Sequence, residues 1–182
     1  MKVTATAILG PLLIQPDVFE DARGFFFESF NQRKFEQLAG IRDTFVQDNH
    51  SGSAKNILRG LHYQIQQPQG KLIRVIAGEI FDVAVDLRKN SPTLGQWASN
   101  HLSAENRLTF WIPPGFAHGF LSLTDHSEVI YKTTDYWAPE FERCISWDDP
   151  DLAIDWPLQG MKPILSKKDQ EGAPFSTAEL FP

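Results

Sequence analysis

Arg59, His62 and Lys71 lie close together in the sequence and are the first residues whose types could do chemistry. A neutral imidazole between two cations can take a proton and leave the resulting anion beside fixed positive charge. The three belong to a stretch from Asn49 to Gly78 with four basic residues (Lys55, Arg59, Lys71, Arg74) and no acidic one, although the chain as a whole carries −6. A positive zone in an acidic protein predicts a small anionic ligand. The overall charge, with a pI near 5.3, excludes a protein that grips a nucleic-acid backbone. Lys55 and Arg74 read equally well as a solvated basic edge. A histidine after Gly-Leu in a strand is, taken alone, also a common core residue; its two cationic neighbours tip His62 toward the role of a base.

Other chemistries lack their residues. No Gly-x-Gly, no Gly-Lys-Ser/Thr and no Gly-x-Ser-x-Gly occurs in the 182 residues, which argues against a dinucleotide fold, a P-loop and a serine hydrolase elbow. The single cysteine, Cys144, cannot build an intrachain disulfide framework and has no neighbouring Cys for a zinc cluster. It reads as a small buried hydrophobe in a protein of the reducing cytoplasm. No apolar run approaches the roughly 18 residues of a membrane span, and Pro11 interrupts the faint resemblance of the amino terminus to a signal peptide. His50, His101 and His126 have no chemical context. Read from the residues alone, Tyr131 is a core ring, Asp169 a surface charge in a lysine-rich turn, and His118 a cap on a Gly-Phe-Ala turn.

The elements that must position these groups read mostly as strands. Ile80 to Arg88 alternates, with Phe81, Val83, Val85 and Leu87 on one face and Asp82, Ala84, Asp86 and Arg88 on the other. Leu108, Phe110 and Ile112 share a face, as do Val129, Tyr131 and Thr133. Short breakers such as Ala77-Gly78-Glu79 and Pro113-Pro114-Gly115 separate the strands. Ala5 to Ile14 reads as a first strand with a turn. One short helix is predicted over Gln32 to Ala39, capped by Asn31 and ended by Gly40, with Phe35, Leu38 and Ala39 inward. A last turn is predicted from Ser176, with Glu179 completing a capping box. Pro150, Pro157, Pro163, Pro174 and Pro182 predict a carboxyl-terminal segment that wraps the outside. With no repeat or linker, residues 1–182 read as one all-β domain, an antiparallel sandwich or barrel.

Two segments resemble the cupin pattern. Gly60-Leu61-His62-Tyr63-Gln64 stands where cupins carry His-x-His, and Pro113-Pro114-Gly115-Phe116-Ala117-His118 matches Pro-x-Gly-x-x-His. Gln64 replaces the second histidine and Lys71 falls where a glutamate is expected, so the pattern predicts a cupin jelly-roll barrel with no metal. Longer motifs, Arg23-Gly24-Phe25-Phe26-Phe27-Glu28, Gln47-Asp48-Asn49, Leu58 to Gln64, Gly115 to Phe120 and Trp147-Asp148-Asp149-Pro150, closely resemble the dTDP-4-dehydrorhamnose 3,5-epimerase family from about Phe19 to Asp169.

That resemblance implies a cofactor-free homodimer acting on a dTDP-4-keto-6-deoxy-sugar. It implies His62 as base, Lys71 as enolate stabiliser, Tyr131 as acid on the opposite face, and Asp169 as the carboxylate that orients His62. It assigns Arg23, Arg59 and Lys168 to the nucleotide and its pyrophosphate, and Glu28, Gln47, Asn49, Glu142 and His118 to substrate contacts. In the carboxyl-terminal register Lys167 can take the place of Lys168. Trp137 stands where the family usually stacks a tyrosine on thymine. The alternatives are an epimerase of one carbon only, a metal-dependent cupin oxygenase or isomerase (disfavoured by Gln64 and Lys71), and a sugar-binding cupin without catalysis. The last would have no reason to keep base, cation and acid together.

Overall fold

The strand-rich pattern folds into two antiparallel sheets. The computed structural model describes residues 1–182. The strands are β1 (Lys2–Ala5), β2 (Leu12–Gln15), β3 (Phe19–Asp21), β4 (Gly24–Phe26), β5 (Gln47–Ser53), β6 (Leu58–Gln64), β7 (Lys71–Ala77), β8 (Glu79–Asp86), β9 (Trp97–Ser103), β10 (Thr109–Ile112), β11 (Phe116–Ser122), β12 (Ser127–Thr133) and β13 (Glu142–Cys144), with helices α1 (Gln32–Ala39) and α2 (Lys167–Gln170). One sheet runs β1-β2-β10-β7-β12-β5, the other β13-β6-β11-β8-β9, and β3 and β4 form a separate hairpin. This is the expected all-β jelly roll. No helix is long and apolar enough to cross a membrane.

The core divides by sheet face. Ile73, Val75, Ile80, Ala84, Leu102, Phe110 and Phe120 pack between the sheets. On the outer face of the five-stranded sheet, Leu61, Phe81, Val83, Val85 and Leu87 are covered by Ile145, Leu152, Trp156 and Phe181. The carboxyl-terminal segment is therefore the lid of a second core, and β8 is buried on both faces. Its Asp82 and Asp86 are fully buried. Asp86 is satisfied by Arg88, Ser91 and Thr93. Asp82 turns toward the interior between the sheets.

Three local expectations change. The predicted helix has its Asn31 cap and left-handed Gly40, but Leu38 is exposed and only Phe35 is buried. Two turns of helix rest on the sheet through a narrow seam, and Ile41 fills the place beside it. A second helix, α2, was not expected; Ser166 caps it by accepting the Asp169 N–H at 3.2 Å. The last turn is a 3-10 turn over Phe175–Thr177 without a side-chain cap. Glu179 instead pairs with Arg143, because Phe181 is tied to Leu87 and Lys89 by backbone hydrogen bonds that hold the tail extended.

Candidate active site

A cavity of about 630 Å³ opens between the sheets, within the usual range for small-molecule sites. Its walls come from both sheets. β6 and β11 contribute Arg59, His62, Gln64 and His118; β5, β7 and β12 contribute Gln47, Asn49, Lys71 and Tyr131; Trp137, Glu142, Lys168 and Asp169 close the rim. Eleven of the thirteen residues proposed from sequence therefore meet in one place. Arg23 and Glu28 do not line it. Arg23 pairs with Asp21 on the exposed β3–β4 hairpin, and Glu28 pairs with Lys34 beside α1.

Alternation along β6 explains why His62 and Gln64 share a side. In the register between β6 and β11, His62 faces His118, and a bulge follows His118. Two glycines allow the approach. A Cβ on Gly60 would stand 2.5 Å from Gly119 Cα and 2.8 Å from the His118 carbonyl oxygen. Gly60 also has φ 128°, a conformation that penalises any side chain.

His62 and Asp169 form the central pair, with Nε2 2.6 Å from Oδ1. Burial opposes the Asp169 charge. Hydrogen bonds from His62, Ser166 and the Gly60 N–H more than offset it and hold the carboxyl at about 2. An ionised carboxylate only accepts, so Nε2 carries the proton and Nδ1 keeps the free lone pair. Burial holds the His62 imidazole below the usual histidine range, Asp169 opposes this, and Lys168 and Lys71 add to it. Such a histidine is neutral near pH 7, as a base must be.

Lys71 stands on the opposite sheet and donates to the His62 carbonyl oxygen at 3.4 Å. Enclosure lowers its ammonium to about 8, against the favourable charges of Glu142 and Asp82. Tyr131 also lies on that sheet, next to Asn49 in the β5–β12 register. Burial pushes its phenol up, so the hydroxyl is protonated at neutral pH and can donate. His62 and Tyr131 thus face the cavity from opposite sheets, an arrangement able to take a proton from one face of a flat intermediate and deliver one to the other.

The residues implied in binding by the sequence are similarly anchored. Arg59 is aimed by hydrogen bonds to Ser53 Oγ at 3.1 Å and the Gly52 carbonyl at 2.9 Å. Lys168 pairs with Glu142 at the rim, whereas Lys167 is 88% exposed and turned to Glu171, so of the two it is Lys168 that lines the cavity. Trp137 is 60% exposed at the mouth, a free indole face.

Several residues were not singled out from sequence. Asp82 holds His118 Nε2 through oxygens 3.0 and 3.1 Å away, a second histidine–carboxylate pair in the same cavity. Its signal was a charged residue among apolar neighbours on a central strand. Ser166 donates to Asp169 Oδ2 at 2.6 Å, and its signal was the Ser-x-x-Asp spacing of a helix cap. Gln64 has a structural task. It accepts from Ala138 N–H at 2.9 Å and donates to the carbonyls of Gln67 and Tyr136 at 2.8 and 3.2 Å. Gln47 adds a hydrogen bond from Trp137 N–H at 3.1 Å. Together they pin the turn that presents the indole.

Comparison with known proteins gives a consistent family. A family model described as dTDP-4-dehydrorhamnose 3,5-epimerase matches residues 5–177. A protein of that name from Pseudomonas aeruginosa is 61% identical over 182 residues, covering 100% of both chains. The dTDP-6-deoxy-D-glucose-3,5-epimerase of Legionella pneumophila, solved in complex with dTDP-4-keto-L-rhamnose, is 52% identical with a TM-score of 0.95 over 98% of this chain and 94% of that one. A 3'-monoepimerase from Streptomyces bikiniensis, in complex with dTDP-quinovose, is 34% identical with a TM-score of 0.88 over 94% and 87%. The architecture is thus common to double and single epimerases, while the 52% and 61% identities lie on the side of the double ones.

Proposed function

The chain belongs to the dTDP-4-dehydrorhamnose 3,5-epimerase family, and from that premise we propose how its own residues perform the reaction. The enzyme is an isomerase that converts dTDP-4-dehydro-6-deoxy-D-glucose to dTDP-4-dehydro-L-rhamnose, a step in dTDP-rhamnose biosynthesis. C3 and C5 both flank the C4 ketone, so one base and one cation can serve both carbons. His62 Nδ1 takes the α-proton while Asp169 holds the Nε2–H. The electron pair moves onto the C4 oxygen as an enolate, which Lys71 stabilises, with His118 near the same oxygen. Tyr131 donates a proton from the other face and inverts the centre. Arg59 and Lys168 take the pyrophosphate, Gln47, Asn49 and Glu142 contact the substrate, and the base stacks on Trp137. The observation that supports this reading most is the placement of His62 on one sheet and of Lys71 and Tyr131 on the facing one.

Turnover in deuterated water, followed by proton NMR, tests it. Deuterium is expected at both C3 and C5 of the product; uptake at a single carbon would make this a single-centre epimerase. We read the reaction as free of metal and cofactor, since the residues above supply base, electrophile and acid. Dialysis against a chelator is therefore expected to leave the rate unchanged. Activity lost and then restored by iron, manganese or zinc would return the metal-dependent cupin to first place.

The working unit on this reading is a homodimer of one-domain chains in the cytoplasm, where the doubly charged diphosphate keeps the substrate and the unpaired thiol stays reduced. The β3–β4 hairpin supports the dimer. Phe19, Phe25 and Phe26 are 66%, 60% and 68% exposed on it, Arg23 extends from its tip, and β1 leaves a sheet edge unpaired. A second copy would cover these rings and receive Arg23 and Glu28 in its own cavity. Light scattering is expected to give a dimer mass at micromolar concentration. Mixing Arg23→Ala with His62→Asn chains is expected to recover activity that neither has alone, because one hybrid cavity regains both an arm and a base. A fully active monomer would end the idea.

A further inference from the structure

Cys144 is the one cysteine of the chain, and the reaction above has no use for it. In the β6–β13 register Cys144 lies opposite His62. Its only hydrogen-bond acceptors are two backbone carbonyls, Gly60 at 3.8 Å and Ile145 at 3.6 Å from the sulfur. One ligand atom each from His62, Cys144 and Asp169 lie within 4.8 Å of one another. An imidazole nitrogen, a carboxylate oxygen and a sulfur are a donor set that zinc accepts, with water or substrate in the fourth position. We infer that His62, Cys144 and Asp169 form an inhibitory site for a thiophilic divalent cation such as Zn²⁺ or Cd²⁺. The inference rests on the reading of His62 as the base.

The geometry asks for little movement. Tetrahedral zinc sets its ligand atoms roughly 3.3–3.8 Å apart. The His62–Asp169 contact must open from 2.6 Å and the sulfur must close in, each by about 1 Å. Atoms and charges balance. The thiol gives its proton to solvent and binds as thiolate. The cation takes Nε2 and Asp169 Oδ1, and the proton that Nε2 carried passes to Nδ1. That is the atom the reaction needs bare, so the bound cation removes the base by fixing the wrong tautomer. Lys71 and Lys168 oppose a cation here, and Asp169, Glu142 and the new thiolate offset them. Hard cations gain nothing from the sulfur, so Mg²⁺ is not a ligand of this site.

The test uses chelator-treated enzyme titrated with CdCl₂ and, separately, ZnCl₂ and MgCl₂. Cadmium and zinc are expected to abolish turnover. The ultraviolet thiolate-to-cadmium charge-transfer band is expected to rise in step with the loss, reaching its plateau at one equivalent. Cys144→Ala and Cys144→Ser are expected to keep the metal-free rate, lose the band, and need at least roughly tenfold to a hundredfold more metal for the same inhibition, the range for removing even an outer partner of a metal site. Wild-type enzyme untouched by cadmium, a band without inhibition, or Cys144 variants inhibited as strongly as wild type would each overturn the inference. His62→Asn, read by the cadmium band alone, is expected to weaken binding by a similar factor. Its exchange activity in metal-free buffer tests the base separately, so the two readings fail independently.

Discussion

His62→Asn is expected to abolish deuterium uptake at both C3 and C5, and Tyr131→Phe to abolish inversion while sparing part of the uptake. The asymmetry follows from the sheets. His62 on β6 is the imidazole paired with a carboxylate held at about 2, and Lys71 reaches its carbonyl oxygen from the facing sheet. Asparagine keeps the polarity but has no basic nitrogen, and a general base contributes roughly 10²–10⁴-fold. Tyr131 lies across the cavity on β12. Removing its hydroxyl leaves the base and the enolate-stabilising cation in place, so protons still leave and deuterium returns to the original face. Proton NMR of substrate and product pools distinguishes the outcomes. Retained exchange in His62→Asn would move the base elsewhere, and His118, paired to Asp82, would be the next candidate. Normal inversion by Tyr131→Phe would strip the phenol of its role.

Lys71→Met is expected to lower kcat by roughly 10²–10³-fold, the cost of removing one preorganised donor from a developing oxyanion. Its pH dependence supplies the sharper signature. Enclosure lowers Lys71 to about 8. The cation is present below that pH and lost as pH rises through it, so kcat of the wild type is expected to fall on the alkaline side of about 8. Burial holds His62 below its usual range. The neutral base is present above its pKa and lost as pH falls through it, which puts the acid limb below about 6.5. A plateau between the two limbs is the expected profile. In Lys71→Met the alkaline limb should vanish from the residual activity while the acid limb stays. Lys71→Arg, whose charge does not titrate in this range, should carry any retained activity above pH 8. An alkaline limb that survives in Lys71→Met would belong to another group.

Gln64 shows what a resemblance can misread. Its amide occupies a cupin metal-ligand position, and from sequence it counts only as a missing histidine. In the fold it accepts from Ala138 and donates to two carbonyls, so the position has become the clamp for the turn carrying Trp137. Cys144 shows the reverse. As a lone thiol it reads as filler, and only its pairing opposite His62 across β13 and β6 makes it a neighbour of the reacting groups.

The sequence by itself determined the strand pattern, the α1 caps, the wrapping tail and the types of most groups that line the cavity. These depend on neighbours two to four residues apart, where alternation, capping and turn chemistry operate. The tertiary structure alone decided which groups meet and on which side. Asp169 is 107 residues from His62, and Asp82 is 36 from His118. Spacing along a chain carries no information about contacts closed by sheet pairing over such distances. Lys168 rather than Lys167 lines the cavity because the first turn of α2 points one toward Glu142 and the other to solvent. The resemblance implies Arg23 and Glu28 as binding residues too, yet they stand outside the cavity: Arg23 is at the tip of a hairpin whose strands pair only with each other, and Glu28 is held by Asn31 and Lys34 beside α1.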